Sequence, residues 1–128
     1  MNSFDIDGVI YINKDHIGVF PGKEDVIITG RSFEESNETL SMLNERGIRN
    51  KVYFNPLTFE EKTRESSGLH KATILNKLKV EGHTIDIHFE DDPVQIVQIK
   101  LHCPWINVVH VSHNLTTMEN VRHSGANQ

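Results

Sequence analysis

Val26-Ile27-Ile28-Thr29-Gly30-Arg31 is an all-apolar run that ends on a hydroxyl, a glycine and a cation. Such a run, too short for a helix and with no polar alternation, reads as a strand buried on both faces. Phe4-Asp5-Ile6-Asp7-Gly8-Val9 precedes it with two carboxylates ahead of a glycine. Downstream, Lys71 lies among Leu69, Ala72, Ile74, Leu75 and Leu78, and Asp91-Asp92 follows Ile85-Asp86-Ile87-His88-Phe89-Glu90. Each polar signal falls where an apolar run stops or a helix begins. An alternating α/β chain brings all of them to one edge of a parallel sheet. The order therefore predicts an α/β protein: a three-layer, Rossmann-like fold around a central, mainly parallel sheet.

The remaining elements fit around these anchors. A first strand is expected over residues 3–6, then a loop or small hairpin with its turn near Asn13-Lys14-Asp15, its second arm being Gly18-Val19-Phe20. Ser32 with Glu35 three residues on is a capping-box pattern. It opens a helix over residues 33–46 whose apolar face carries Phe33, Leu40 and Leu43, ended by Gly47. Lys51-Val52-Tyr53-Phe54 reads as a strand, and residues 57–67 as a polar loop. The second helix is expected over residues 68–79, with Lys71 in its first turn. The macrodipole disfavours a cation there, so Lys71 is either solvated or facing an anion. Pro93 suits the start of a third helix with apolar positions Val94, Ile96, Val97, Ile99 and Leu101. Val108 to Val111 forms the last strand, giving a domain over residues 1–112 and a polar tail over 113–128 that frays at its end.

A chain of 128 residues holds one domain with one core. Its net charge of -5 argues against a broad basic surface for nucleic acid. Cys103 is the single cysteine, which excludes an intramolecular disulfide and a four-cysteine zinc site and suggests a reducing compartment. No apolar run approaches the ~18 residues of a membrane span. With only Met1-Asn2-Ser3 before the first signal, there is no room for a secretion signal, so a cytoplasmic location is expected. Asn114-Leu115-Thr116 matches a glycosylation acceptor but carries no weight without secretion. The eight histidines show no metal-ligand spacing and read as surface or satisfied core residues; His70, beside Lys71, is within reach of a substrate.

Each signal has a plain structural reading: turn chemistry for Asp7-Gly8, strand end for Thr29, helix capping for Asp91-Asp92. The glycine arrives too early for a calcium-binding EF-hand loop. Their joint order is what a structural account leaves unexplained, and carboxylates gathered with a hydroxyl and an ammonium suit magnesium-dependent phosphoryl transfer. Response-regulator receivers use similar residues, but place the acidic pair first and the lysine last.

Asp5-Ile6-Asp7-Gly8-Val9, Thr29 after its apolar strand, Lys71 at a helix start and Asp91-Asp92 after Ile87-His88-Phe89 together resemble the four motifs of the haloacid dehalogenase-like hydrolases. The resemblance spans nearly the whole chain. Within that family, Thr29-Gly30-Arg31 and the acidic pair look most like the phosphatase half of polynucleotide kinase-phosphatases. Two positions depart from the pattern: Asn2 and Ser3 are polar where the first strand is usually apolar, and Pro93 stands where the polynucleotide relatives often carry arginine.

The resemblance implies a magnesium-dependent (Mg2+) phosphatase acting through an aspartyl-phosphate on Asp5. Asp7 is then the acid and base, with Thr29 and Lys71 stabilising the transferring group and Gly8, Gly30 and Arg31 joining them around the substrate. It assigns Asp5 and Asp91 as direct metal ligands, the Asp7 backbone carbonyl as a third, and Asp92 as a partner through water. A phosphate dianion among carboxylates needs such an ion, since each like-charge pair at ~4 Å costs roughly 4 kcal/mol at an effective dielectric near 20. The family's cap domains have no room here: 17 residues separate Gly8 from Val26. A capless, open site favours large phosphorylated substrates, with nucleic-acid ends and phosphopeptides as candidates, or a small molecule enclosed by a second subunit; monomer and homodimer both stay open. A non-catalytic phosphate-binding module on the same fold has no need for both Asp5 and Asp7.

Overall fold

The computed structural model describes residues 1–115. Five parallel strands form the central sheet: β1 (Ser3–Phe4), β4 (Val26–Ser32), β5 (Val52–Asn55), β6 (Ile87–Glu90) and β7 (Asn107–His110), in the spatial order β5-β4-β1-β6-β7. Between β1 and β4 lies the hairpin β2 (Tyr11–Asn13) and β3 (His16–Ile17). The turn is at Lys14-Asp15 as expected, but its second arm is His16–Ile17 rather than residues 18–20. Asn13 Oδ1 accepts from Asp15 N and meets His16 Nδ1, which closes the turn early.

Helix α1 (Ser36–Glu45), preceded by a 3-10 turn over Phe33–Glu35, packs on one sheet face. There Leu43 joins Phe4, Ile6, Val9, Ile10, Ile27 and Ile48 in a single cluster. Helices α2 (Arg64–Val80) and α3 (Pro93–His102) cover the other face through Ala72, Leu75, Leu78 and Ile99 against Val26 and Ile28. Alternate residues of β4 thus feed opposite cores, as a strand buried on both faces requires. The result is a three-layer, Rossmann-like α/β architecture, and β1 at its centre is where the connections change direction. Ligands in such sheets bind outside the strand ends at that switch point.

Helix faces differ from the expectation in detail. Phe33 is 62% exposed and Leu40 43%, while Thr39 is buried; in α3, Val97 and Leu101 are exposed and Gln95 is fully buried. Apolar spacing alone misjudged which stripe meets the sheet. The larger correction concerns α2. It begins at Arg64, because Thr63 Oγ1 caps Ser66 N and Ser66 Oγ accepts from Thr63 N. This reciprocal cap uses serine where glutamate is commoner. Lys71 is therefore the eighth helical residue, two turns in, and the macrodipole argument does not apply to it.

Past residue 112, His113 Nε2 donates to the Gly8 carbonyl at 2.8 Å, and Asn13 Nδ2 donates to the Leu115 carbonyl at 3.3 Å, so this segment contacts the turn after β1 and the hairpin. The expected fraying over residues 124–128 falls outside the described residues. Among the described residues, no helix is long and apolar enough to cross a membrane.

Candidate active site

β1 pairs on both edges and ends at Phe4, whose partners are Ile27 and Phe89. Asp5, the next residue, is held in line by its N–H to the Phe89 carbonyl at 3.0 Å. Thr29 is two residues beyond Ile27 on β4, so the two sequence signals reach the same end of the sheet, with β4 continuing through an irregular register to Ser32. Asp91 follows β6 on the other flank of β1. The chain leaves β1 through a tight turn in which Val9, Ile10 and Tyr11 N–H groups converge on the Ile6 carbonyl.

Gly8 makes that turn possible for two reasons. Its φ of +82° favours glycine, and a β-carbon there would lie 1.9 Å from Asp91 Oδ2. The Asp91 carboxylate thus occupies the space that Gly8 leaves empty, bringing the acidic residue after β6 against the turn after β1. His110 Nε2 donates to the Asp91 carbonyl at 3.1 Å while His113 holds Gly8, so the segment following β7 grips both halves of this contact.

Lys71 reaches the site with its ammonium: Nζ donates to Asp5 Oδ1 and to Glu90 Oε1, each at 2.8 Å, and the residue is fully buried. Asp5, Glu90 and Asp91 each offer an oxygen within 4.8 Å of the others. Asp91 Oδ2 is buried with no hydrogen-bond partner. Three carboxylates around one ammonium leave two negative charges uncompensated in a dry site, which proteins avoid by neutralising the group or by binding a cation. Burial, then Glu90, pushes the Asp5 carboxyl up to about 7 against the opposing pull of Lys71. Burial, then Asp5 and Glu90, pushes Asp91 up to about 10. A divalent cation would supply the missing charge, and an all-oxygen cluster of this kind suits a hard ion. The residues present fit such an ion: Asp5, Asp91 and Glu90 are the oxygens available, and the orphaned Asp91 Oδ2 is the atom that most lacks a partner.

Of the residues expected here, Asp5, Gly8, Lys71 and Asp91 meet. Thr29 is fully buried beside them in sequence register, its Oγ1 accepting the Arg31 N–H at 3.0 Å, with Gly30 between. Asp7 turns its carboxylate to Arg31, which holds both oxygens, Nε on Oδ2 at 2.9 Å and Nη2 on Oδ1 at 2.7 Å. Arg31 also donates to Thr39 on α1. The Gly30 carbonyl accepts from Lys62 Nζ at 3.1 Å, a buried lysine that also meets Glu35.

Asp92 does not join the cluster. Arg64 binds both its oxygens, at 3.0 and 2.7 Å, and it caps α3 through Val94 N at 2.9 Å. The capping reading of Asp92 holds in the structure, and its carboxylate is outside the three-residue cluster. The site is also less open than expected: Asp5 is 4% exposed and Asp91 5%, and the accessible polar groups are Asp7 and Arg31.

Glu90, Arg64 and His88 were missed. Arg64 was hidden in a stretch read as loop. Glu90 and His88 carried a signal, since strand alternation puts both on the face of Ser3 and away from that of Phe89. His70 is buried next to Lys71, and burial and that lysine hold it down at about 4; its Nε2 has no hydrogen-bond partner. No protein-family model, curated protein or solved structure matches the chain.

Proposed function

We infer that this protein is a phosphomonoester hydrolase of the haloacid dehalogenase type, using a divalent cation, magnesium first, and Asp5 as nucleophile. One observation carries the reading: a buried aspartate directly after the central strand shares its lysine with Glu90 and lies against Asp91, whose inner oxygen is unpartnered. The strand order and the sequence motifs support the same reading. A purely structural cluster gains nothing from an orphaned carboxylate beside two others, because each costs stability unless it is used.

Asp5 and Asp91 would hold the ion, with Glu90, bonded to Lys71, the third oxygen within reach; such an ion would neutralise charge on the phosphoryl oxygens and let Asp5 ionise. Lys71 fixes the Asp5 carboxylate through Oδ1 and presents positive charge where negative charge accumulates during transfer. Asp5 attacks phosphorus, the ester oxygen departs with its bonding electrons, and an aspartyl-phosphate results. Asp7 gives the leaving oxygen its proton, then accepts one from the water that attacks phosphorus and regenerates Asp5. Both Asp7 oxygens are occupied by Arg31. An incoming phosphate competes for that guanidinium, so substrate binding both recruits Arg31 and releases Asp7. Thr29 joins the phosphate from β4.

The experiment is to react the protein and magnesium with a labelled aryl phosphate, quench, and look for hydroxylamine-sensitive label on the chain. Label that appears in the parent and is missing in Asp5→Asn is expected. Rapid phosphate release from both proteins, with no adduct in either, contradicts Asp5 as nucleophile. Phosphorylated polymer ends precede small metabolites as expected substrates, because no inserted domain lies between β1 and α2 to enclose a small one.

A further inference from the structure

Ser3 and His88 are polar residues at the heart of a sheet, fully buried on neighbouring strands, in positions where an apolar pair costs less. Their hydrogen bonds run in one line toward the site. Ser3 Oγ meets His88 Nδ1 at 2.7 Å, His88 Nε2 meets Glu90 Oε1 at 3.0 Å, and that same oxygen accepts from Lys71 Nζ at 2.8 Å. A carboxylate only accepts, so Nε2 carries the hydrogen. In the neutral ring Nδ1 is then an acceptor, and Ser3 donates. The arrangement contains serine, histidine and glutamate but is no nucleophilic triad, because Ser3 is sealed from solvent and the carboxylate sits on the nitrogen a triad uses for its serine.

We propose that Ser3 and His88 are positioning residues that pin Glu90 to Lys71, so that the ammonium stays on Asp5 and Glu90 stays out of the cation's coordination shell. The geometry makes this a choice between two states of Glu90. Its oxygen is within reach of Asp5 and Asp91, so it is a third candidate ligand. Held by His88 and Lys71 on Oε1, with Oε2 accepting weakly from Asp92 N at 3.4 Å, it is committed to the lysine. Removing the His88 donor takes one of the two strong bonds from Oε1, and the competing cation gains. A third carboxylate on the ion draws Lys71 off Asp5. Turnover then falls while cation binding holds or tightens. A merely structural histidine predicts the opposite pattern, in which both decline together with stability.

The inference rests on the phosphatase reading for its turnover arm only. The test compares the parent with His88→Leu, His88→Gln and Ser3→Ala, measuring magnesium affinity by calorimetry and phosphate release at saturating magnesium. Loss of a hydrogen bond to a charged group corresponds to about 10- to 100-fold in rate. His88→Leu is expected to lose that much turnover with an unchanged or lower magnesium dissociation constant. His88→Gln, whose amide N–H replaces Nε2–H, should recover most of it, and Ser3→Ala should fall between. Unchanged turnover in His88→Leu, weaker magnesium binding in it than in the parent, or a loss of turnover that glutamine does not rescue overturns the proposal. If the parent releases no phosphate, the phosphatase reading fails by itself. The calorimetry still decides this one: weaker magnesium binding in His88→Leu than in the parent contradicts it.

Discussion

Asp91 shows how much of the site depends on single atoms. Its carboxylate fills the space that Gly8 leaves open, its inner oxygen has no partner, and it is crowded by Asp5 and Glu90. Such a group lowers the stability of a fold in which nothing is bound to it. Asp91→Asn should therefore make metal-free protein about 1–3 kcal/mol more stable in denaturant unfolding while abolishing magnesium binding in calorimetry. A variant that is less stable and still binds magnesium makes Asp91 structural. At this scale the sequence was informative about Asp5, Gly8 and Asp91 because they follow strand ends, whereas Lys71, expected in a helix's first turn, reaches the cluster from two turns inside α2. It was silent on the partition between Asp91 and Asp92. Two adjacent acids look alike on paper, and only the start of α2 at Arg64 decides that Asp92 is neutralised by a guanidinium while Asp91 Oδ2 has no hydrogen-bond partner.

Helix α2 is the element that delivers charge to the site, and Gly68 sets how close it lies to α3. A β-carbon at Gly68 would meet the Gln95 Cα at 2.9 Å and the Gln98 Cβ at 2.8 Å, so the helices cannot keep their spacing with any larger residue. Gly68→Ala gains at most ~1 kcal/mol of helix propensity and faces an overpacking cost of typically 1–3 kcal/mol. The expected outcome is a lower melting temperature together with reduced turnover, since Lys71 is one turn further along and moves with the helix. Thermal unfolding and phosphate release measured on the same preparation check it; an Ala variant at least as stable as the parent removes the close contact from the account. The apolar cores of α2 and the strands were legible from periodicity. The start of α2 was not, because Thr63 and Ser66 form a cap from residues that serve loops equally well. The stripe of α3 was misread because Gln95 is buried as a hydrogen-bonding partner of Asp92, a role that hydrophobic spacing cannot register.

Over the whole molecule, the site's charge imbalance turns into a pH dependence of stability. Asp5 and Asp91 have folded values raised above their ordinary 3.8, so above that value the folded chain keeps protons that the unfolded chain has lost. Stability then falls as pH rises. His88 and His70 act in the other direction: lowered to about 3 and about 4, they favour the folded state increasingly up to their ordinary 6.5 and add nothing further above it. Between pH 6.5 and 9 the carboxylates set the slope, and Cys103, pushed up by burial to about 11, adds in the same direction at the upper end. Metal-free protein should lose stability across that window, and saturating magnesium should flatten the loss, because the ion replaces the protons. Urea unfolding at several pH values, with magnesium or with chelator, checks this; identical slopes in the two conditions count against a cation at these carboxylates.

If the carboxylates around β1 make a cation-dependent phosphatase, inorganic phosphate is released from an aryl phosphate near neutral pH with magnesium, not in excess chelator, and not from Asp5→Asn in either condition. Release that persists in chelator, or that survives in Asp5→Asn, contradicts it, as does a folded, magnesium-bound parent that releases none.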